Sequence, residues 1–436
     1  MPTSQRYQEY IKLMANPDAI HKLAKLEFLN DDGTVAFTID NSYKHGYGGN
    51  GNGSRAFLQS GNLSVSLQNG KRRQATVTFE NLDGAFDFSV NKLWFGQKVR
   101  LLMGVKLADG YEYYLPQGVF YIDSPSLEWK PNSRQATYTL TDKWAYLDGS
   151  LFGNLRDTYQ IPNGNNLFAA IQTILRISKY SLTPTSNIMQ MLDPVAPLFT
   201  DYFNARSTTA NGRIYTNNLV PYDIEIEYGR TYADIILELN ALIGGWIGYD
   251  SMGRLTVLPS ENDIADQTKP ILWDFTTASK TFLGLSETSN MGDVYNQYIV
   301  IGEALESDTA PIGIATNRDP TSDTCVGRIG LKVQTESASG YYTKEQCAAL
   351  AAFKLKRTTV LKKSVTISST QLFHLQENNL ITVQRADKVG SPIERHLIQS
   401  YTLPISQTGE MSITATSVTD YPDITIEKTD FSGVLT

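Results

Sequence analysis

The sequence has little of what reactive sites are usually built from. Its 436 residues include 2 Cys and 4 His, and only 19% are charged. Two cysteines cannot staple a chain of this length, so a disulfide framework is excluded, and Cys325 and Cys347 read as reduced structural thiols. The histidines, His21, His45, His374 and His396, form no His-Glu-x-x-His and pair with no cysteine at zinc spacing, so no metal is expected. There is no Gly-x-Ser-x-Gly elbow, and no pair of carboxylates stands out for glycosidic chemistry. Long apolar runs are missing too. The richest stretch, Ile235–Tyr249, is broken by Glu238 and Asn240 and falls short of the roughly 20 apolar residues that cross a bilayer. The opening MPTSQRYQEYIKLM lacks the pattern of a secretory signal, which predicts synthesis in the cytoplasm and no stable membrane association. A net charge of −7 argues against general affinity for nucleic-acid phosphates.

What is present is 41% hydrophobic residues, with 24 Tyr and 32 Gly, a texture that suits a β-rich protein with large contact surfaces. The predicted class is α+β, mainly β. Residues 1–19 read as an N-terminal helix, with Tyr7, Tyr10, Ile11 and Met14 at helical spacing. This helix docks either on its own domain or on a neighbouring subunit. From Leu23 the period becomes two. A hairpin through Asp31-Asp32-Gly33 is followed by strands at Asn62–Leu67, Ala75–Asn81, Lys98–Val105, Tyr111–Leu115, Gly118–Asp123 and Gln135–Asp142, predicting a β-barrel over residues 20–150. Residues 151–270 read as an inserted α+β domain. It has a helix at Asn166–Ser178, a second helix capped by Thr231 with Asp234, and a hairpin turning at Asp250–Gly253. Residues 271–420 predict a second barrel. Its strands lie at Tyr295–Gly302, Ser364–Ser368, Leu380–Gln384, His396–Leu403 and Glu410–Val418, and its one helix is opened by Thr343 and Gln346. Residues 421–436 form an extended tail. Gly118–Asp142 and Arg395–Asp420 follow one pattern, a strand of the form φ-x-φ-x-Ser and a returning alternating strand. This is either a distant repeat or two unrelated meanders.

Two segments are candidate contact sites. His45–Ser54 contains Gly46, Tyr47, Gly48, Gly49, Gly51 and Gly53, formally including Gly-x-Gly-x-x-Gly. No helix pattern follows it, so dinucleotide binding is disfavoured, and an exposed loop available for contacts is the reading. Lys354, Lys356, Arg357, Lys362 and Lys363 form a compact basic cluster. Its first reading is counter-charge at a helix C-terminus, its second an acidic partner, and its third nucleic acid.

Phe79–Gly104, Tyr113–Pro125 and Leu140–Gly149 resemble the first barrel of hub proteins from tails of phages of Gram-positive hosts. Arg230–Pro259 resembles the inserted hub unit. Val294–Gly302, the helix ending Lys354–Arg357, Asn378–Asp387 and His396–Thr416 resemble the second barrel. In this order the chain resembles the baseplate hub proteins of phage tails and contractile injection systems, a group similar to the T4-type hub. The resemblance implies a structural virion protein of the tail, without enzymatic activity or cofactor. It implies a homotrimer whose two barrels per chain adapt a six-fold tail tube to a three-fold tip. The implied partners are the tail tube or distal tail protein, a spike or tip protein, the tape-measure protein and surrounding baseplate proteins, with DNA only in transit through the channel. The alternatives are a tail-associated peptidoglycan hydrolase and a carbohydrate-binding tail-tip protein.

Overall fold

A computed structural model describes residues 5–17, 20–30, 33–42, 56–81, 84, 86–87, 97–131, 133–155, 158–180, 209–210, 213–214, 219–220, 223–243, 245–258, 269–289, 291–304, 309–338, 341–385, 390–418 and 421–427. Alternating sequence becomes strand wherever one face is covered. The chain opens with helix α1 (Gln5–Met14) and then runs through β1 (Lys22–Leu29), β2 (Val35–Asp40), β3 (Leu58–Ser66), β4 (Arg73–Glu80), β5 (Lys98–Lys106), β6 (Glu112–Lys130) and β7 (Ser133–Asp142). In β4, Ala75, Val77 and Phe79 point into the core while Gln74 and Thr76 face out. α1 docks on its own chain, with Tyr10 and Met14 buried in the same core.

The next unit holds β8 (Tyr159–Ile161), α2 (Leu167–Tyr180), β9 (Thr209–Ala210), β10 (Arg213–Ile214), β11 (Ile224–Ile226), α3 (Tyr232–Ile243), β12 (Trp246–Tyr249) and β13 (Leu255–Leu258). It has its own core, in which Ile171, Ile174, Ile236 and Leu239 of the two helices meet Ile247 and Leu255. The α3 cap is reciprocal: the Thr231 amide donates to Asp234 at 2.7 Å and the Asp234 amide to the Thr231 hydroxyl at 3.2 Å.

The last part contains β14 (Ile271–Phe275), β15 (Phe282–Ser289), β16 (Gln297–Ile301), β17 (Ile312–Asn317), β18 (Val333–Ser337), α3's successor α4 (Lys344–Thr358), β19 (Lys363–Ser369), β20 (Leu380–Gln384), β21 (Ile393–Pro404), β22 (Met411–Ser417) and β23 (Ile424–Glu427). Strands β18-β16-β17-β23 form a separate four-stranded sheet under α4, with Tyr298, Val300, Cys347, Leu350 and Leu355 between them. The helix lies so close that a Cβ on Gly313 would fall 2.0 Å from the Ala348 amide nitrogen. Within the segment predicted as an extended tail, Ile424–Glu427 is a strand paired with β17.

The remaining strands form one 13-stranded sheet in the order β15-β19-β22-β21-β3-β4-β7-β6-β5-β1-β2, with β20 also on β21 and β14 on β20. The fold is thus mainly β with a few helices, as expected, but the two predicted barrels do not close separately among the described residues. β3 is paired on one edge with β4, and over Asn62–Ser66 its other edge carries β21, which leaves only an isolated bridge from Phe57 to Asp40 of β2. One core runs through the join, from Leu63, Val77 and Tyr138 to Leu403, Ile367 and Ile413.

The distant repeat is present and larger than its sequence signal. β3-β4-β7-β6-β5 recurs as β15-β19-β22-β21-β20, with every neighbouring pair antiparallel in both halves. Ala75↔Leu140 and Val77↔Tyr138 correspond to Val365↔Ala415 and Ile367↔Ile413. The register shift between Ile122 and Ser124 recurs between Ile398 and Ser400, and that between Leu58 and Ser60 recurs between Phe282 and Gly284. Two bulges at matching places are a far stronger signature than two meanders of similar composition.

Candidate functional site

The join between the halves is built on β4 and the β19–β20 connection. Arg73 follows the inward parity of β4 and is 2% exposed. Its guanidinium donates to the Gln117 carbonyl at 3.0 Å, to Gln376 Oε1 at 2.8 Å and to the Glu377 carboxylate. Burial opposes the charge on Arg73, but Glu377 and the Tyr401 hydroxyl outweigh it and hold the pKa above the usual value. Arg72 beside it is pulled down to about 10 by burial. Asp142 accepts the amides of Arg72 (2.8 Å), Arg73 (3.0 Å) and Trp144 (3.0 Å), yet burial still raises its carboxyl above the ordinary range. Lys269 donates to the Asn378 carbonyl and burial lowers it to about 8. His374, packed between Tyr10 and Trp273, is lowered by burial to about 3, with Nδ1 3.2 Å from the Tyr10 hydroxyl. Sequence reasoning missed this cluster because Arg73 and Glu377 are far apart in the chain. The available signal was a cation at an inward position of an alternating strand.

The predicted basic cluster is divided among several environments. Lys354 pairs with Glu336 at 3.2 Å, and Lys363 with Glu394 at 2.6 Å. The Arg357 guanidinium lies over the Phe353 ring, and with Lys356 it stands in the last turn of α4, where cations offset the carbonyl end of the helix. Lys362 precedes β19. Lys354 and Arg357 also face a cavity of about 420 Å³ shared with Asn69, Asn240, Trp246 and Glu336. The loop at Gly46, Tyr47, Gly48, Gly49, Gly51 and Gly53 lies outside the described residues. Cys325 and Cys347 are buried free thiols. Among the described residues no three His, Cys, Asp or Glu side chains converge as a metal site, and no helix is long and apolar enough to cross a membrane.

Among the strand edges left open within the described residues, two occupy places that are paired in the other half. β6 pairs with β5 only up to Tyr121, so beyond Ile122 it is paired on the β7 side alone. β15 ends the sheet, paired only with β19. Leu127 and Trp129 on the first edge and Leu283 on the second are 37%, 64% and 51% exposed.

The geometry defines a duplicated β scaffold whose two copies are joined edge to edge. The fold of the whole chain is similar to those of several phage and prophage tail proteins. A tail protein from Neisseria meningitidis superimposes with a TM-score of 0.57 at 10% identity, covering 91% of this chain and 96% of that one. The 43 kDa tail protein of prophage MuSo2 from Shewanella oneidensis gives 0.52 at 14% identity, covering 92% and 99%. The prophage tail protein gp18 from Listeria monocytogenes gives 0.50 at 8% identity, covering 91% and 94%. No protein-family model matches the sequence, and no curated protein matches it.

Proposed function

We propose that this chain is a structural component of a phage or phage-derived tail, acting as a trimeric baseplate hub. The observation that supports this reading best is the five-stranded repeat joined edge to edge within a fold shared with tail proteins. Two similar units per chain make six similar positions in a trimer, so one ring meets a six-fold tube on one face and a three-fold spike or tip on the other. The ring leaves a channel for tape-measure protein and then DNA, and the chain's net charge of −7 disfavours sticking of DNA in transit. Tail tube or distal tail protein, spike and surrounding baseplate proteins are its partners. The candidate contacts are the loop from Gly46 to Gly53 and the cations Lys354, Lys356, Arg357, Lys362 and Lys363. Its work is positioning and not catalysis, and its place is the tail of the particle.

Mass measurement and electron microscopy of the purified chain test this. A ring of three chains is the expected particle. A chain that stays monomeric under assembly conditions, alone and with tail proteins, overturns the proposal.

A further inference from the structure

The repeat makes a specific statement about what covers the open edges. Inside the chain, β21 continues past its bulge and pairs with β3: Tyr401↔Val65, Thr402↔Ser64, Leu403↔Leu63 and Pro404↔Asn62. The ladder is extended by the Leu67 amide donating to the Gln399 carbonyl and the Ile405 amide donating to the Gly61 carbonyl, at 2.6 and 2.8 Å. The counterpart of this part of β21 is β6 after its own bulge, Ser124–Lys130, and the counterpart of β3 is β15. Both edges have no strand beside them among the described residues. They belong to opposite halves, so each has what the other lacks.

We infer that β6 of one copy adds to β15 of the next as an antiparallel strand, in the register of the intrachain join. The repeat fixes that register as Pro125↔Ser289, Ser126↔Thr288, Leu127↔Glu287 and Glu128↔Ser286. The partner is a second copy of this chain, because the surface it must match is already present inside the chain as β21 on β3. The pairing satisfies open backbone groups on both edges and covers Leu127, Trp129 and Leu283. It is not a perfect copy of the internal join. Pro125 stands where Tyr401 does and brings no N–H, so the ladder loses one donor there, while Trp129, at the place of Ile405, keeps its amide for Leu285. Leu127 faces Glu287, where Leu403 faces buried Leu63. The interface between copies is therefore the weaker of the two, which suits a subunit that folds before it assembles.

The inference rests on the hub reading only in requiring that copies assemble, and cysteine cross-linking in the full chain separates the two. Thr402 and Ser64 supply the internal control: S64C/T402C oxidises to an intrachain disulfide, and Cys325 and Cys347 are buried. S126C/T288C, the equivalent pair, is expected to give disulfide-linked dimers and trimers on a non-reducing gel, with each single variant remaining a monomer there. S126C/S286C, out of register, is expected to link at least several-fold less. An oligomer of the native size in which S126C/T288C stays reduced while S64C/T402C oxidises overturns the edge pairing and leaves the hub reading standing. A chain that never assembles overturns both.

Discussion

Arg73 and Lys363 occupy the same place in the two halves, and they live in different worlds. Each opens the strand that pairs on both sides in its sheet, and each donates its amide to the end of the returning strand, Arg73 to Asp142 and Lys363 to the Ser417 hydroxyl, both at 3.0 Å. Arg73 is sealed into the join with Glu377, whereas Lys363 is 39% exposed in a pair with Glu394. The backbone of the repeat was kept while its side chains followed the neighbours they met. Where the β19–β20 connection of the other half covers the position, the cation is a buried, multiply bonded guanidinium. Where it does not, a half-exposed lysine is enough.

The connections diverge in the same way. Between β3 and β4 the chain turns within Leu67–Arg72, while between β15 and β19 it builds α4 and three strands of the four-stranded sheet, β16, β17 and β18. The two connections nonetheless face one cavity, where Asn69 of the short turn lies opposite Glu336, Lys354 and Arg357 of the long one. Insertion at a loop leaves the sheet intact because the strand pairs on either side carry the register.

The largest expected effect separates the two cations. Arg73→Met leaves Glu377 charged and enclosed, and should cost about 3–5 kcal/mol. Lys363→Met should cost no more than about 1 kcal/mol. Urea denaturation of both variants checks this, and equal losses would break the comparison.

The second test uses acid. Both His374 and His396 lie in the second half, and burial lowers both below the usual value, to about 3 for His374. The unfolded chain takes up these protons near pH 6.5 and the folded chain does so only at lower pH. Stability is therefore complete above about pH 6.5 and is lost as pH falls from there toward 3, by at most about 1.4 kcal/mol per unit for each histidine. His396 stands where the first half has buried Phe120. His396→Phe should flatten the acid limb of a Tm-against-pH curve. A limb of unchanged slope in the H374Q/H396F double variant would place the acid sensitivity elsewhere.

Third, Gly61 sits in the crowded join, where an added Cβ would come 2.4 Å from the Thr76 carbonyl and 3.1 Å from Ile405, while its counterpart Leu285 lies on the open edge. Gly61→Ala should lower stability by about 1–3 kcal/mol through overpacking. Leu285→Ala, at a half-buried position, should cost less; thermal melts of the two rank them. The smallest effect is at the cavity. Lys354→Ala removes a partly exposed ion pair with Glu336 and should change stability by no more than about 1 kcal/mol, also read by thermal melting.

Elements with a local cause were legible in the sequence. The caps of α3 and α4 at Thr231 and Thr343, the turn at Asp250–Gly253, and the strand at Leu380–Gln384 all follow from residues a few positions apart. The repeat was visible only at its most regular hairpin, because elsewhere the halves share pattern and not residues. β6 reads as two strands because Pro116 and Gly118 interrupt its alternation, yet the break is absorbed as a register shift against β5 between Leu101 and Leu102. The single sheet was not legible at all. Whether β3's outer edge meets β2 or β21 depends on strands more than three hundred residues apart, and alternation fixes which face is buried without naming the partner. The Arg73–Glu377 pair was hidden for the same reason.

The matched bulges align the two halves more firmly than any side chain does. A side chain changes by a single substitution, and the two halves differ at positions such as Arg73 and Lys363 or Phe120 and His396. A bulge moves only when a strand gains a residue at one place and loses one at another, and every intermediate turns a run of side chains to the wrong face. The extra residues at Gln59 and Leu283, and at Asp123 and Gln399, are thus features that no single substitution can move. They fix how the two halves superimpose residue by residue, and they give a yardstick for comparing sheets whose side chains no longer correspond.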